Sequence, residues 1–290
     1  MGKSPGLDED VVKKYTADVS NLYLAEAEEV DFADGENFNN LLNHKINYYT
    51  HGLIPSVLDE VPSPDTVFLL LNAIYFKQPW LIPFDPKETI TGMFFNNGDA
   101  DKEVQPEFMT MRETWFKGGV QVMGGEDIET LEMQYKDKKT SMVILLPSRK
   151  DGLKLILSSP SLQSDLLSLL GNLNSMGEEA TDVALPKFAI NSTHDLKPIL
   201  TEMGLGSLFE VGSDLSGVVG PDSVHLSKVS QEAFIRVEEE GTEAAAVSTV
   251  TGVNRYLPRV RYFTADHPFL FVIRDMETGL VFFIGKVEYL

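Results

Sequence analysis

The sequence predicts an α+β domain, and three observations point to it. The chain has 290 residues, 43% of them hydrophobic, which is enough to bury the core of one large domain. Some segments repeat apolar residues with helical spacing, whereas others form short apolar runs typical of strands. These helices and strands do not follow one another in regular βα alternation. No repeat or low-complexity linker divides the chain, so we expect one domain over residues 1–290, with a disordered tail at 1–7.

Four segments have helical periodicity. Residues 8–24 place five apolar side chains on one face: Val11, Val12, Tyr15, Val19 and Leu22. The other predicted helices cover Glu36–Tyr49 and approximately Ser161–Leu170 and His194–Met203. The segment Gly204–Ser207 follows the last helix and is typical of a helix stop, the alternative being a phosphate-binding loop.

Six segments read as strands. Val67–Phe76 lacks the alternation of a half-exposed strand, so we expect it to be buried on both faces. The turn Asp275–Gly279 joins the last two strands as a hairpin. The remaining predicted strands are Met142–Pro147, Val183–Ile190, Phe234–Val237, Pro268–Ile273 and Leu280–Gly285.

Composition excludes several classes of function. The formal net charge of −20 argues against a nucleic-acid binder and against affinity for anionic membranes. The simplest interpretation is that this charge keeps the protein soluble. The chain has no cysteine, so disulfides, zinc–thiolate sites and cysteine nucleophiles are excluded. The five histidines lack metal-binding spacing, and no nucleophile elbow, dinucleotide fingerprint or Walker loop is present. We therefore expect no enzyme activity, no metal and no cofactor.

The segment Glu238–Pro258 is long for a connection between strands. Its first half is rich in Ala, Val and Thr, which can enter a sheet with little packing conflict. Taken alone, the segment is better interpreted as a mobile linker, and the sequences on either side of it reverse that interpretation.

The sequence around this segment resembles the serpin family of serine-protease inhibitors. Gly241–Ala246 resembles the family's hinge, and Phe263–Ile273 resembles the signature after its reactive-centre loop. Further similar segments occur in the same order along the chain: Asn72–Lys77 with Trp80 and Pro83-Phe84, Leu185–Phe188, Asp214–Gly217 and Gly285–Val287.

The resemblance implies a serpin-like fold, with a mostly antiparallel central sheet, a second sheet, packed helices and an exposed reactive-centre loop at 238–258. It also implies a mechanism: a protease cleaves the loop, and the loop inserts into the central sheet while the acyl-enzyme is trapped. Alternate hinge-side residues would face one side of the inserted strand, and all are small or β-branched: Thr242, Ala244, Ala246, Ser248 and Val250. Glu243 and Ala245 complete the hinge between them.

The bait position follows from the resemblance by counting. The family residue that enters the protease's specificity pocket usually lies fourteen after the hinge glycine, which gives Arg255, followed by Tyr256. Arginine suits a protease with an acidic, trypsin-type pocket. Arg259 and Arg261 are rivals beyond Pro258.

Other residues take structural roles by resemblance, and each has a simpler reading. Asn72 would lie in the shutter opposite Gln231, or be a satisfied buried amide. Trp80 would lie in the breach, or in an ordinary core. Lys187 and Glu239 would pair as a latch, or be solvated.

The resemblance also implies a monomer that acts on a trypsin-like serine protease in the extracellular space. It implies a chain truncated at its N-terminus, because a complete serpin has about 100 further residues before the first helix here. The triplet Asn191-Ser192-Thr193 is a glycosylation sequon, or a chance match. The alternative function is a non-inhibitory, truncated serpin-like protein that is cleaved as a simple substrate.

Overall fold

The computed structural model describes residues 8–54, 56–58, 61–62, 66, 68–210, 212–219, 225–241 and 260–290. The helices are α1 Glu9–Tyr23, α2 Gly35–Tyr49, α3 Gly152–Leu157, α4 Leu162–Leu173, α5 Lys197–Leu200 and α6 Ser216–Val219. The strands are β1 Phe68–Tyr75, β2 Ile90–Thr91, β3 Phe94–Phe95, β4 Glu103–Val104, β5 Glu107–Met123, β6 Glu126–Gln134, β7 Thr140–Pro147, β8 Glu178–Pro186, β9 Phe188–Asp195, β10 Leu226–Val237, β11 Arg261–Thr264, β12 Phe269–Asp275 and β13 Val281–Val287.

The chain forms two compact units, each built from two stretches of sequence. The first unit comprises Met1–Tyr75 and Ile190–Ile235, and the second comprises Phe76–Ala189 and Arg236–Leu290. The single domain expected from the sequence stays a prediction.

The first unit contains most of a three-stranded sheet in the order β1-β10-β9. β1 and β10 are parallel, with register partners that run from Phe68 and Leu226 to Tyr75 and Phe234. The apolar side of α2 supplies Phe38, Leu42 and Ile46 to a cluster around buried Ile54, Val57, Leu58 and Phe234. α1 begins at the N-cap Asp8, whose carboxylate accepts hydrogen bonds from the next turn.

The second unit contains an eight-stranded sheet. Seven strands follow the order β11-β8-β5-β6-β7-β12-β13, and β2 pairs with β5. Leucines of α3 and α4 cover one part of this sheet: Leu153, Leu166, Leu169, Leu170 and Leu173 pack on buried residues of β6, β7 and β12. β12 and β13 form the hairpin predicted from the sequence, and Asp275 accepts hydrogen bonds within its turn.

Several sequence predictions were wrong in detail. The strand at 67–76 is not buried on both faces: Leu70 is 48% exposed, because β1 is the last strand of its sheet among the described residues and borders an open cavity of about 530 Å³. Val183–Ile190 is two strands in different sheets, which separate at Lys187 after Pro186. The helix expected from His194 begins at Lys197, because His194 and Asp195 belong to β9.

Candidate functional site: the turn at the base of the long loop

The chain turns tightly directly after β10, at the start of the segment Glu238–Pro258. The N–H of Glu238 donates to the carbonyl of Gly241 at 3.2 Å, and the N–H of Gly241 donates back to Glu238 at 3.1 Å. Gly241 also forms a bridge with Pro79. The four residues Glu238–Gly241 are called the base turn below.

The base turn rests on the segment that contains Trp80. The Trp80 backbone N–H donates to the carbonyl of Glu240 at 3.0 Å, and the Phe84 N–H donates to Glu239 at 2.9 Å. The indole Nε1–H of Trp80 donates to the carbonyl of Glu238, also at 3.0 Å. Three hydrogen bonds from one short segment therefore hold the carbonyls of the base turn.

Trp80 is buried and stacks on a second aromatic ring. Its ring lies 4.5 Å from that of Tyr135, with an angle of 12° between the planes. Phe76 packs edge-on against Tyr135 at 4.8 Å, so the rings form a continuous cluster. Buried, stacked rings lose little side-chain freedom when they hold a hydrogen bond, which makes Trp80 a rigid support.

Gly241 adopts a backbone conformation that suits only glycine. Its φ is +111°, and a Cβ at this position would lie 2.5 Å from the Gln78 carbonyl oxygen and from the Trp80 nitrogen. Both atoms belong to the backbone, so a side chain could be accepted only if the segment moved.

An ion-pair network fixes the middle of the base turn. Glu239 is buried, with 9% of the residue exposed. Its carboxylate accepts hydrogen bonds from Lys187 Nζ and Thr89 Oγ1, both at 2.7 Å. Lys187 also donates to Glu107 at 2.9 Å. Burial alone would raise the pKa of Glu239, but the hydrogen bonds from Lys187 and Thr89 outweigh burial and lower it.

The pKa of Lys187 shifts in the opposite direction. Burial would lower it, but hydrogen bonds to Glu239 and Glu107 outweigh burial and raise it. Both partners are therefore charged at neutral pH. Thr89 and Glu107 were not singled out from the sequence, where nothing marks them as neighbours of Glu239.

The structure places the remaining predicted residues as follows. Asn72 on β1 and Gln231 on β10 are register partners of the parallel pair, but Asn72 is exposed, so the reading of a buried amide was wrong. Arg261 is the first residue of β11. Asn191 lies exposed on β9. Arg255, Tyr256 and the hinge residues Thr242–Ala246 lie outside the described residues, so the structural roles of all these positions stay predictions.

Two further features are absent from the described residues. Within the described ranges, no group of three or more His, Cys, Asp or Glu side chains could hold a metal ion. None of the helices in the part of the chain that the structure describes combines the length and apolarity needed to cross a membrane.

Comparison with known proteins gives one consistent family. A family model described as "Serpin (serine protease inhibitor)" matches residues 7–290. The chain is 36% identical to Iripin-3 of Ixodes ricinus over 284 residues, which are 97% of this chain and 70% of that protein. It is 37% identical to human Serpin B8 over 270 residues, which are 91% of this chain and 70% of that protein.

A further relative and a solved structure agree with these matches. Intracellular coagulation inhibitor 1 of Tachypleus tridentatus is 33% identical over 97% of this chain and 66% of its own length. The crystal structure of Serpin48 from the insect Tenebrio molitor matches with a TM-score of 0.79 and 30% identity. That match covers 96% of this chain and 71% of Serpin48.

Proposed function

Since the chain belongs to the serpin family, we propose that it inhibits trypsin-like serine proteases as a suicide substrate, with Arg255 as the bait residue. The family and its α+β fold, both predicted from the sequence, are confirmed. The trypsin-like target and the trapping mechanism are the proposal.

The parallel pairing of β1 with β10 is the observation that carries the proposal. The two strands run in the same direction through the whole of β1. A segment that turned back after β10 and entered between them would be antiparallel to both. Insertion would therefore replace one parallel ladder with two antiparallel ladders, which are more numerous and slightly more stable per residue.

The base turn gives the loop a fixed origin. Because Gly241 is held against Pro79 and Trp80, the chain that follows begins from a defined position in the second unit. A loop that starts at a rigid point can present a bond to a protease with less loss of conformational entropy than one that starts from a frayed strand.

The position of Arg261 supports Arg255 as the bait. Arg261 pairs with Thr181 of β8 in the sheet, and its Nη1 donates to the Thr130 carbonyl at 3.1 Å. A residue held in this way would have to leave the sheet to enter a protease pocket. Arg259 lies outside the described residues.

Incubation with trypsin tests the proposal. The wild-type protein should form a complex that survives SDS, and Arg255→Ala should abolish it, because the acidic pocket of trypsin then lacks its cation. Arg259→Ala is the matched control and should still form the complex. Cleavage after Arg255 without a complex would instead identify a non-inhibitory relative, and an unchanged complex in Arg255→Ala would place the bait elsewhere.

The extracellular location and glycosylation at Asn191 are a second, separate part of the proposal. The exposure of Asn191 on β9 would leave room for a glycan. One relative carries the word "intracellular" in its name, so the comparisons lend no support to an extracellular location.

A further inference from the structure

Glu132 is a buried acidic residue in the middle of β6 and is 3% exposed. Its Oε1 accepts hydrogen bonds from the Ser141 hydroxyl at 2.7 Å and from Arg274 Nε and Nη2 at 3.1 and 2.7 Å. Arg274 is 2% exposed and also donates to the Leu170 carbonyl and to the side chain of Asn174. The two buried charges therefore neutralise each other within one network.

The second oxygen of Glu132 is not used by this network. Oε2 is buried and accepts no hydrogen bond from any residue that the structure describes. A buried acceptor without a donor is costly, and native proteins leave few of them. Glu132 also lines a cavity of about 220 Å³.

The rest of the cavity wall contains both apolar and charged residues. Leu81, Ile82 and Trp115 supply apolar surface, and Trp115 is 53% exposed. Lys117 on β5 is the register partner of Glu132 on one side and of Glu178 on the other, and both Lys117 and Glu178 line the cavity.

The charged residues of the wall are Lys117, Glu132 and Glu178, and their charges sum to zero once Arg274, which pairs with Glu132 from outside the wall, is included. Lys117 carries the charge opposite to that of Glu178, its register partner on β8. A charged ligand would lose its hydration on entering the cavity and would find no unpaired opposite charge there. A neutral ligand with one hydrogen-bond donor avoids this large desolvation free energy. A donor that reaches a carboxylate still forms a charge-assisted hydrogen bond.

We propose that this cavity binds a small, flat, uncharged aromatic molecule with one N–H or O–H donor, of the indole or phenol class. The ring packs against Trp115, Leu81 and Ile82, and the donor bonds to Oε2 of Glu132. The argument for this site does not depend on the function proposed for the loop.

A pair of ligands that differ only in the donor tests the site. Indole and 1-methylindole have almost the same ring, but only indole has an N–H. Ligand-observed NMR on the 290-residue protein should detect indole binding, with 1-methylindole weaker by about tenfold or more. Equal binding of the two, or no binding of either up to about 1 mM, would overturn the proposal.

Two variants separate the contributions of the wall. Glu132→Gln should reduce the preference for indole over 1-methylindole. Because that variant also disturbs Arg274 and could unfold the protein, half-exposed Trp115→Leu provides a second test and should weaken both ligands equally. Lys154→Met is the matched control and should leave indole binding unchanged, because Lys154 is exposed on α3 and does not line the cavity. Unchanged binding in Trp115→Leu would contradict the site, and so would a strong loss of binding in Lys154→Met.

Discussion

At the scale of single residues, Gly241 occupies a backbone position in the base turn that a residue with a side chain could not adopt without strain. Gly241→Ala would force a Cβ against the Gln78 carbonyl and the Trp80 nitrogen at a φ of +111°. We expect the variant to lose roughly 1 to 3 kcal/mol of unfolding free energy, measured by urea denaturation. Gly171→Ala is the control, because it lies in α4 with no atom within 4 Å of its added Cβ. It should be neutral or slightly stabilising, and equal effects from the two variants would contradict the strain argument.

The pairing of Glu239 with Lys187 makes stability depend on pH in a defined direction. The folded pKa of Glu239 is lowered, so the unfolded chain binds more protons in acid. Its contribution is therefore present above the ordinary glutamate pKa of about 4.3 and is lost as the pH falls through the lower folded value. The folded pKa of Lys187 is raised, so its contribution is complete below about pH 10.4 and is lost as the pH rises through the higher folded value.

Glu239→Gln tests this linkage. At pH 7 we expect the variant to be less stable than wild type by about 1 to 3 kcal/mol, because half-buried Lys187 loses the charged carboxylate of buried Glu239 as an acceptor. In urea denaturation across the pH range, the difference should shrink below about pH 4. Glu9→Gln, which removes an exposed partner of Lys13, should have no measurable effect. A difference for Glu239→Gln that stays constant from pH 7 to about pH 3 would contradict the assignment.

Single residues also mark what sequence reasoning could and could not find. Trp80, Lys187 and Glu239 were selected through a family resemblance, and the structure brings all three to the base turn. Glu132 and Arg274 were missed. Arg274 lies near the end of an apolar strand, a pattern that indicates a buried charge, whereas Glu132 lies among other acidic residues of β6 and carries no such signal. Thr89 and Glu107 carry no such signal, because their contact with the network depends on long-range folding.

At the scale of elements, strong helical periodicity and long apolar runs predicted several helices and strands correctly. α2, α4, β7 and the hairpin of β12 and β13 lie close to where the pattern placed them. The longest strand, β5, was not predicted, because it is interrupted by a bulge between Met111 and Thr114, with Glu113 at a φ of +48°, and by the pair Gly118-Gly119. Its regularity comes from pairing with β6 and β8, which local sequence does not encode.

The proposed inserted strand is an element whose two sides should behave differently. Thr242→Arg would place a charge on the face of the inserted strand that becomes buried, which should prevent insertion. Trypsin should then cleave the loop without forming a stable complex. Glu243→Arg is the matched control, because the next residue along a strand faces the opposite side. It should still trap the protease. The ratio of SDS-stable complex to cleaved inhibitor measures both, and trapping by Thr242→Arg would contradict the alternating arrangement.

At the scale of the whole molecule, the proposed mechanism requires a native state that gains pairing only after cleavage. In the described structure β1 and β10 are register partners with no strand between them. Cutting the loop should allow a new strand to pair with both, so the nicked protein should be the more stable form. For domains of 150–250 residues, each kcal/mol of added stability raises Tm by about 2–4 °C, so several kcal/mol should raise it by about 10 °C or more.

Thermal unfolding of the protein before and after limited trypsin cleavage measures this gain. Nicked Thr242→Arg is the control: its loop is cut at the same bond, but the buried arginine should prevent insertion and leave Tm near that of the uncut protein. If Tm rises in the nicked wild type and not in nicked Thr242→Arg, the added stability comes from insertion, because both samples contain the same break in the chain. If the nicked wild type melts at the temperature of the uncut form, the parallel pair does not open to a new strand, and the trapping mechanism would have to be abandoned even if trypsin cleaves after Arg255.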